Sequence, residues 1–239
     1  MPIPKIIYQT WKTHHLPPPI EGLRQYMKTM NPTYKFHMFD DQDIENFIST
    51  YSEDLDDNDD LLAAYRSLAI GAARADFWRY LVLYKHGGGY LDMDAAIIQP
   101  IDDLLAKHGD ARGIITREYN QGVFNNWIMF FEPRHPLLQR MIDQMFYNVR
   151  HRTTNDVLAL TGPAAFTAVL QQFTAEAANL YELTDEEFAA TFAFCGLRVY
   201  KKDMGEFARC KHRFAQHLYT AEMPHWRDHV AANGGSPFS

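Results

Sequence analysis

A long apolar helix that stops at consecutive glycines constrains the fold of this chain more than any other feature. The sequence keeps helical spacing from Leu61 to His86, and the run Gly87–Gly89 ends it. The next stretch is apolar apart from two aspartates, YLDMDAAII, and predicts a strand that enters the interior of a sheet. A helix that returns directly into a buried strand is typical of α/β folds.

The two aspartates of this stretch, Asp92 and Asp94, predict a cation site. Side chains alternate along a strand, so both carboxylates and Tyr90 are expected on one side. Two neighbouring carboxylates repel each other and are costly to bury unpaired, and a divalent cation resolves that conflict. Hard oxygen ligands in an incomplete set suit Mg²⁺ or Mn²⁺. The motif alone leaves an alternative open, because Asp-x-Asp also occurs in ordinary turns and calcium loops.

Asp76 and Arg79 lie one turn apart on the flank of the predicted helix. As an isolated feature, the two residues predict an i, i+3 ion pair on the surface that contributes a few tenths of a kcal/mol, ~0.3. A role beside the two aspartates is the alternative.

The order of the remaining elements favours an α/β fold with alternating strands and helices. Lys5–Trp11 and Thr33–Phe39 are predicted strands, Gly22–Met30 is a predicted helix, and a second helix is predicted through Ile48 after an N-cap at Asp40 or Asp41. At 239 residues the chain can bury a large core, and we predict a single domain over residues 1–239.

The charge balance argues against a nucleic-acid partner, because the net charge is -7 and no basic stripe is present. The two cysteines, Cys195 and Cys210, have neither CxxC nor zinc-site spacing, which favours a reducing compartment and predicts a cytoplasmic location. No apolar run approaches the ~20 residues of a membrane-spanning helix, so no membrane span is expected.

The segment Ala75–Asp102 resembles the DXD region of glycosyltransferase family 32, which includes initiating α-mannosyltransferases and α-galactosyltransferases and is similar to glucosylating bacterial toxins. The helix, the D-x-x-R pair, the glycine turn and the Y-x-D-x-D motif fall at the family spacing. Three further segments resemble the first strand, the second strand-to-helix junction and a later helix start of the family: IPKIIYQTWK, FDDQDIENFI and LTGPAAFTAVL. The resemblance implies a GT-A-type, Rossmann-like mixed sheet flanked by helices that binds a nucleotide sugar.

The resemblance also implies roles for the matching residues. Asp94 would ligate the metal directly, and Asp92 would hold the donor ribose and the metal's water shell. Asp76 and Arg79 match positions that hold the sugar hydroxyls and the diphosphate side of the donor, so these four are the predicted catalytic residues. Tyr90 would pack near the same sugar, with an ordinary place in the aromatic core as the alternative.

Four other residues match donor-side and acceptor-side segments of the family. Gln9 and Trp11 match the strand that frames the nucleotide base, where the indole could stack on the base or pack in the core. Asn125 and Asn126 resemble the acceptor-side strand, and a turn before a strand is their alternative.

The C-terminal portion, residues 187–239, is predicted to contribute to the acceptor or metal site. Family members carry a histidine followed by a tryptophan at this late position, and the histidine or a neighbour completes the metal or diphosphate shell. Here His217 is the predicted third metal residue, and His225 is the alternative.

The predicted function is therefore a metal-dependent retaining hexosyl transfer from a UDP- or GDP-sugar to a hydroxyl of a glycan, lipid-linked or protein acceptor. Glu118 and Glu132 are conceivable as a base or nucleophile, but neither can be placed against the donor from the sequence. An aspartate-dependent phosphatase and a non-catalytic sugar-binding module, the latter suggested by the many aromatic residues, are the alternatives.

Overall fold

The structure is a computed structural model that describes residues 2–53, 61–117, 122–173, 179–187, 192–194, 197–198 and 225–239. Its described helices are α1 (Pro18–Met30), α2 (Asp41–Glu53), α3 (Leu61–Arg66), α4 (Gly71–His86), α5 (Ile101–Lys107), α6 (Pro136–His151), α7 (Val157–Leu160), α8 (Pro163–Gln172) and α9 (Trp226–Ala232). Its described strands are β1 (Ile6–Thr10), β2 (Lys35–Phe39), β3 (Gly88–Leu91), β4 (Ala95–Ile97), β5 (Gly113–Ile115), β6 (Ile128–Phe131), β7 (Leu180–Glu182), β8 (Phe192–Phe194) and β9 (Leu197–Arg198).

The main sheet brings several chain segments to one edge. Its strand order is β2-β1-β3-β6-β5-β7, in which β1 is parallel to β2 and β3 while β6 is antiparallel to β3 and β5. The carboxyl ends of β1, β2, β3 and β5 therefore share an edge with the residues that precede β6, which is where ligands bind in open α/β sheets. This mixed sheet with flanking helices confirms the predicted fold class.

The predicted strand from Tyr90 to Ile98 is wrong as a single element. Strand β3 ends at Leu91, Asp92–Asp94 form a turn, and β4 then pairs with β8 in a separate three-stranded sheet. The amide of Ala95 donates to the carbonyl of Asp92 at 3.1 Å, which closes the turn. We call Asp92–Asp94 the acidic turn; strand alternation therefore does not set the direction of its two carboxylates.

The predicted helix from Leu61 to His86 is also interrupted. Helix α3 ends at Arg66, and the chain leaves helical geometry because Leu68 forms a β-bridge with Phe238 and the amide of Ala69 donates to the carbonyl of Pro237. Helix α4 begins afterwards and packs against α6 and against strands β1, β3 and β6. It is buried along most of its length, including two charged residues that belong to the site.

The glycine turn after α4 is a steric requirement. Gly87 and Gly88 have φ angles of 65° and 102°, which L side chains rarely adopt. A Cβ on Gly88 would lie 2.7 Å from the backbone oxygen of Ile6 in β1. The glycines thus let β3 pass directly beside β1, as the pairing of Ile7 with Gly89 shows.

The N-terminal elements follow the sequence prediction with shifted boundaries. Strands β1 and β2 lie within the predicted segments, whereas α1 starts earlier, at Pro18, because proline suits the first turn of a helix. Asp40 caps α2, since its Oδ1 accepts from the amides of Gln42 and Asp43. Helix α2 extends to Glu53 rather than ending near Ile48.

The C-terminal residues that the structure describes pack on the main body. Trp226 and Val230 of α9 contact the larger apolar core, and the amide of Ser239 donates to the carbonyl of Ser67 at 2.9 Å. These contacts fit a single domain over residues 1–239, which stays a prediction.

The longest helices of the described part, α4 and α6, have 16 residues each and lie within the fold. None of the described helices is long and apolar enough to cross a membrane.

Candidate active site

The D-x-x-R pair on α4 is buried. Asp76 and Arg79 are 6% and 4% exposed, and Asp76 Oδ1 lies 3.3 Å from Arg79 Nη1. The alternative of a surface ion pair is therefore wrong. Charged groups this deep in a fold need hydrogen-bond partners to offset the loss of water, so the surrounding donors and acceptors define the site.

The Asp76 carboxylate receives hydrogen bonds from distant parts of the chain. Asn126 Nδ2 donates to Asp76 Oδ1 at 2.8 Å, and Thr161 Oγ1 donates to Asp76 Oδ2 at 3.0 Å. Asn126 Nδ2 also donates to the Tyr80 hydroxyl at 2.9 Å, and that hydroxyl donates to the Thr161 carbonyl at 3.1 Å. We call Asp76, Arg79, Tyr80, Asn126 and Thr161 the buried network.

Arg79 joins the buried network to the acidic turn. Its Nη1 donates to the Asn126 carbonyl at 2.7 Å, and its Nη2 donates to Asp92 Oδ1 and to the Tyr90 hydroxyl, both at 3.2 Å. The guanidinium lies over the Tyr90 ring, 4.3 Å from its centroid. The Tyr90 hydroxyl in turn donates to Asp92 Oδ1 at 2.8 Å. One carboxylate oxygen of the turn is thus fixed by two side chains.

Burial sets the protonation chemistry of the pair. Loss of water raises the pKa of Asp76 to about 6, although Arg79 and the hydrogen bonds from Thr161 and Asn126 lower it. Burial by itself lowers the pKa of Arg79, but Tyr90 and the two aspartates outweigh that effect, so the net pKa is raised and the guanidinium stays charged. Asp76 is therefore the group of this network that changes charge near neutral pH.

The acidic turn differs from the buried network in how its carboxylate is occupied. Both oxygens of Asp76 accept hydrogen bonds, whereas the described contacts of Asp92 involve only one of its oxygens. The amide of Asp92 donates to the Trp127 carbonyl at 2.9 Å, which ties the turn to the start of β6. The Asp92 side chain is 34% exposed, and its Oδ2 has no hydrogen-bond partner within the described ranges. Asp94 is half-buried in the same turn. Carboxylate oxygens of this kind fit a hard divalent cation that keeps part of its water shell.

Trp11 lies beside the acidic turn. Its half-buried ring packs against a small apolar cluster of Leu16, Ile20 and Met93, and Met93 is the middle residue of the turn. Gln9 is fully buried in β1, and neither its amide nitrogen nor its amide oxygen has a hydrogen-bond partner among the residues that the structure describes. Both residues therefore lie at or just after the carboxyl end of β1, with Trp11 partly exposed and Gln9 enclosed. Their donor-binding roles stay predictions.

The two adjacent asparagines differ in their contacts. Asn126 belongs to the buried network, whereas Asn125 donates through Nδ2 to Thr116 Oγ1 at 2.9 Å, just after β5. Asn125 Oδ1 is buried without a partner. Asn126 therefore lies against the predicted donor residues, and the acceptor-side assignment of both residues stays a prediction.

The predicted third metal residue, His217, lies outside the described residues. The alternative, His225, is described, and its Nδ1 accepts from the amide of Arg227 at 3.3 Å. The amide of His225 donates to Asp228 Oδ2 at 3.1 Å, so the two residues form a capping box at the start of α9.

Another set of potential metal ligands was missed in the sequence. The side chains of His14, Asp40 and Asp43 place ligand atoms within 4.8 Å of one another, the one group of three that the described residues form. It lies at the N-terminus of α2, where Asp40 and Asp43 already accept backbone hydrogen bonds and His14 Nε2 lies 2.7 Å from Asp43 Oδ2. Metal-binding experiments on this protein therefore need a variant that removes this group.

Thr161 and Tyr80 are further site residues that sequence reasoning did not find. The segment LTGPAAFTAVL marked a helix start, and Thr161 directly precedes Gly162, the N-cap of α8. Tyr80 lies among the buried aromatic and aliphatic residues of α4, so its residue type and position are those of an ordinary core residue. The resemblance of LTGPAAFTAVL to a family segment was the available signal for Thr161. It did not indicate a contact with Asp76, which lies 85 residues away in the sequence.

Comparisons with known proteins point to a family of sugar transferases. Residues 18–109 match the sequence profile of the family described as "Glycosyltransferase sugar-binding region containing DXD motif". Inositol phosphoceramide mannosyltransferase 3 of Schizosaccharomyces pombe is 34% identical over 163 residues, which cover 67% of this chain and 43% of that protein. The initiation-specific alpha-1,6-mannosyltransferase of Candida albicans is 24% identical over 211 residues, covering 72% and 53%. The chain thus spans about half the length of these curated relatives.

Solved structures give the same fold. The PaToxG glycosyltransferase superposes with a TM-score of 0.57 at 23% identity, over 72% of this chain and 70% of that one. The UDP-bound glycosyltransferase domain of the YGT toxin gives a TM-score of 0.50 at 10% identity, over 92% and 88%. These similarities identify the fold as GT-A. The matched DXD region and the sequence relatives show that the chain belongs to the DXD-containing glycosyltransferases of family 32.

Proposed function

We propose that this chain transfers a hexose from a nucleoside diphosphate sugar to an acceptor hydroxyl, with a divalent cation and with retention of the anomeric configuration. One observation carries the proposal: Arg79 connects the buried network, in which both oxygens of Asp76 accept hydrogen bonds, to the acidic turn at the carboxyl edge of the sheet. In that turn Asp92 Oδ2 has no hydrogen-bond partner among the described residues. The sequence relatives are named as mannosyltransferases, which favours mannose as the transferred sugar.

In this proposal the acidic turn binds the cation. Asp94 and the open side of Asp92 would hold Mn²⁺ or Mg²⁺, and such an ion stabilises the negative charge that grows on the leaving diphosphate. Arg79 keeps Asp92 in place through one carboxylate oxygen and leaves the other for the ion or its water. His217 would complete the shell and lies outside the described residues.

The buried network would hold the sugar end of the donor. Asp76 is oriented by Arg79, Asn126 and Thr161, and a fixed polar surface costs little reorganisation when the bond to the anomeric carbon breaks. Trp11 and Gln9 would frame the base from the other side of the turn, since Trp11 packs against Met93.

The described residues favour a same-face route without a protein nucleophile. Of the two conceivable carboxylates, Glu132 follows β6 at the opposite end of the sheet and accepts from Arg112 Nε at 2.6 Å. Glu118 lies outside the described residues. In the same-face route the departing phosphate accepts the proton of the incoming hydroxyl, so no carboxylate behind the sugar is needed.

A panel of sugar nucleotides tests the proposal. GDP-mannose, UDP-glucose and UDP-galactose are each added with Mn²⁺ or with chelator, and both thermal stability and release of the nucleoside diphosphate are recorded. A matching donor at 100 times its dissociation constant stabilises the fold by ~2.7 kcal/mol. We expect stabilisation and release that both require the cation. Stabilisation without release indicates a sugar-binding module, and cleavage of p-nitrophenyl phosphate without use of any sugar nucleotide indicates a phosphatase.

A further inference from the structure

The hydroxyl of Thr161 is fully enclosed at the junction of α7 and α8, where it meets the active-site helix α4. Its Oγ1 lies 3.0 Å from Asp76 Oδ2 and 3.5 Å from the carbonyl oxygen of Val157. A hydroxyl has one proton to donate, and a carboxylate is a stronger acceptor than a carbonyl. The shorter contact to the charged group therefore takes the proton, so Thr161 donates to Asp76.

The backbone around Thr161 is held from two helices. The Thr161 carbonyl accepts from the Tyr80 hydroxyl of α4 at 3.1 Å, and the preceding carbonyl, of Leu160, accepts from Asn148 Nδ2 of α6 at 3.0 Å. The next residue packs closely as well, because a Cβ on Gly162 would lie 3.0 Å from Leu158 Cα. The donor atom is thus fixed in place before any ligand arrives.

We propose that Thr161 is a positioning residue of the donor site, whose hydroxyl holds the Asp76 carboxylate in the orientation that pairs it with Arg79. This inference rests on the proposed sugar-nucleotide function. The hydrogen bonds of Thr161 within the described residues include Asp76 but neither Arg79 nor Asp92, so it acts through Asp76. The ordered contacts then run from Thr161 to Asp76, from Asp76 to Arg79 and from Arg79 to the acidic turn.

Removal of the hydroxyl leaves Asp76 Oδ2 buried without a donor. An unpaired buried carboxylate either rotates toward another donor or takes up a proton. Both responses weaken its pairing with Arg79, and Arg79 Nη2 is one of two donors that fix Asp92 Oδ1. We therefore expect loss of the hydroxyl to slow cleavage of the bond between the sugar and the diphosphate. Binding of a free nucleoside diphosphate, which lacks the sugar, depends less on Asp76.

Three variants separate positioning from general stability. Thr161→Val keeps the shape of the side chain and removes the hydroxyl, while Thr161→Ser keeps the hydroxyl and removes a methyl group. Thr167→Val is the matched control, since Thr167 is another buried threonine, on α8, and has no hydrogen bond with Asp76 among the described residues. Its hydroxyl donates to the Pro163 carbonyl and accepts from the amide of Phe124. Each variant is assayed for its melting temperature, for kcat with GDP-mannose or whichever donor the panel identifies, and for the Kd of GDP or UDP in Mn²⁺.

We expect Thr161→Val to lower kcat by roughly tenfold or more, as loss of a hydrogen bond to a charged group does, with the Kd of the free nucleotide changed by less than about twofold. Thr161→Ser restores kcat to near wild type, and Thr167→Val lowers the melting temperature without lowering kcat. Equal kcat values in Thr161→Val and Thr167→Val overturn the inference, as does a serine variant as impaired as the valine variant.

A second readout keeps the inference distinct from the proposed function. The ¹³C resonance of the Asp76 carboxyl group is titrated in the wild type and in both Thr161 variants, with no donor present. A higher pKa of Asp76 in Thr161→Val than in Thr161→Ser supports the hydroxyl contact, and equal pKa values overturn it. Wild-type protein that cleaves no sugar nucleotide rejects the proposed function, whereas an active wild type with a normal Thr161→Val variant rejects the positioning role alone.

Discussion

The buried network and the acidic turn meet at Arg79 but satisfy their polar groups in opposite ways. Both oxygens of Asp76 accept hydrogen bonds from within the fold. In the turn, Arg79 and Tyr90 fix one oxygen of Asp92, and the other has no hydrogen-bond partner in the part of the chain that the structure describes. The difference suggests separate tasks within the proposed function. The closed half would hold a fixed orientation, and the open half would keep coordination positions for a cation and phosphate oxygens.

The largest expected effect comes from the open half. Asp94→Asn removes one negative charge from the proposed cation shell, and we expect turnover to fall by roughly 10² or more at saturating Mn²⁺. Steady-state rates measure the loss, and circular dichroism checks that the fold is kept.

The matched control for this prediction is His14→Ala, which removes the histidine from the other group of potential metal ligands, His14, Asp40 and Asp43. We expect its turnover to stay near wild type. Near-normal turnover of Asp94→Asn, or a large loss of turnover in His14→Ala, would contradict the assignment of the cation to the acidic turn.

The next effect comes from the closed half. Asp76→Ala leaves Arg79 without its partner on α4, and we expect kcat to fall by about tenfold or more while the Kd of the free nucleoside diphosphate changes little. Calorimetric titration of the nucleotide beside steady-state rates makes the comparison. Equal losses in both quantities count against a sugar-side role for Asp76.

A smaller effect follows from the pKa of Asp76, which burial raises to about 6. The pairing with Arg79 needs the ionised carboxylate, so kcat is expected to decline as the pH falls through about 6.

The contribution of Asp76 to the free energy of unfolding has the opposite pH dependence. The folded state binds this proton more tightly than the unfolded state, so the stabilisation from Asp76 is present below its unfolded pKa and is lost as the pH rises through about 6.

A pH–rate profile of the wild type and of Thr161→Val checks this assignment. The hydrogen bond from Thr161 lowers the pKa of Asp76, so the acid limb should move to higher pH in the variant. An acid limb that does not move assigns the titration to another group.

The smallest effect is expected at Glu132, whose pair with Arg112 lies at the far end of β6. Glu132→Gln should leave turnover within about twofold, because its charge is remote from the site and its pair is structural. A loss comparable to that of Asp94→Asn, measured under the same conditions, would give this carboxylate a catalytic role that the same-face route does not include.

The sequence predicted the fold class, because the alternation of strands and helices follows from local patterns. It did not predict where β3 ends. Alternation alone reads Tyr90–Ile98 as one strand, whereas the pairing of β4 with β8 depends on residues about 100 positions later. The carboxylates of the acidic turn are therefore set by turn geometry and by Arg79.

The burial of the D-x-x-R pair also could not be predicted from the local sequence. An i, i+3 Asp and Arg on a helix are ordinary surface residues unless other segments cover them, and only the family resemblance favoured a functional role. In the structure, the hydrogen bonds to the Asp76 carboxylate come from Asn126 and Thr161, which lie 50 and 85 residues away in the sequence. Contacts at that separation depend on the packing of α7, α8 and the start of β6 against α4.

The anomeric configuration of the first-formed glycoside tests the central claim most directly, since the claim is a retaining transfer by a site that uses the acidic turn and no protein nucleophile. Proton NMR is recorded early in a reaction of wild-type protein with Mn²⁺, an α-linked sugar nucleotide and an acceptor, before any product can epimerise. The account predicts an α-linked product. A β-linked product, shown by its anomeric coupling, would contradict the same-face route and the retaining assignment.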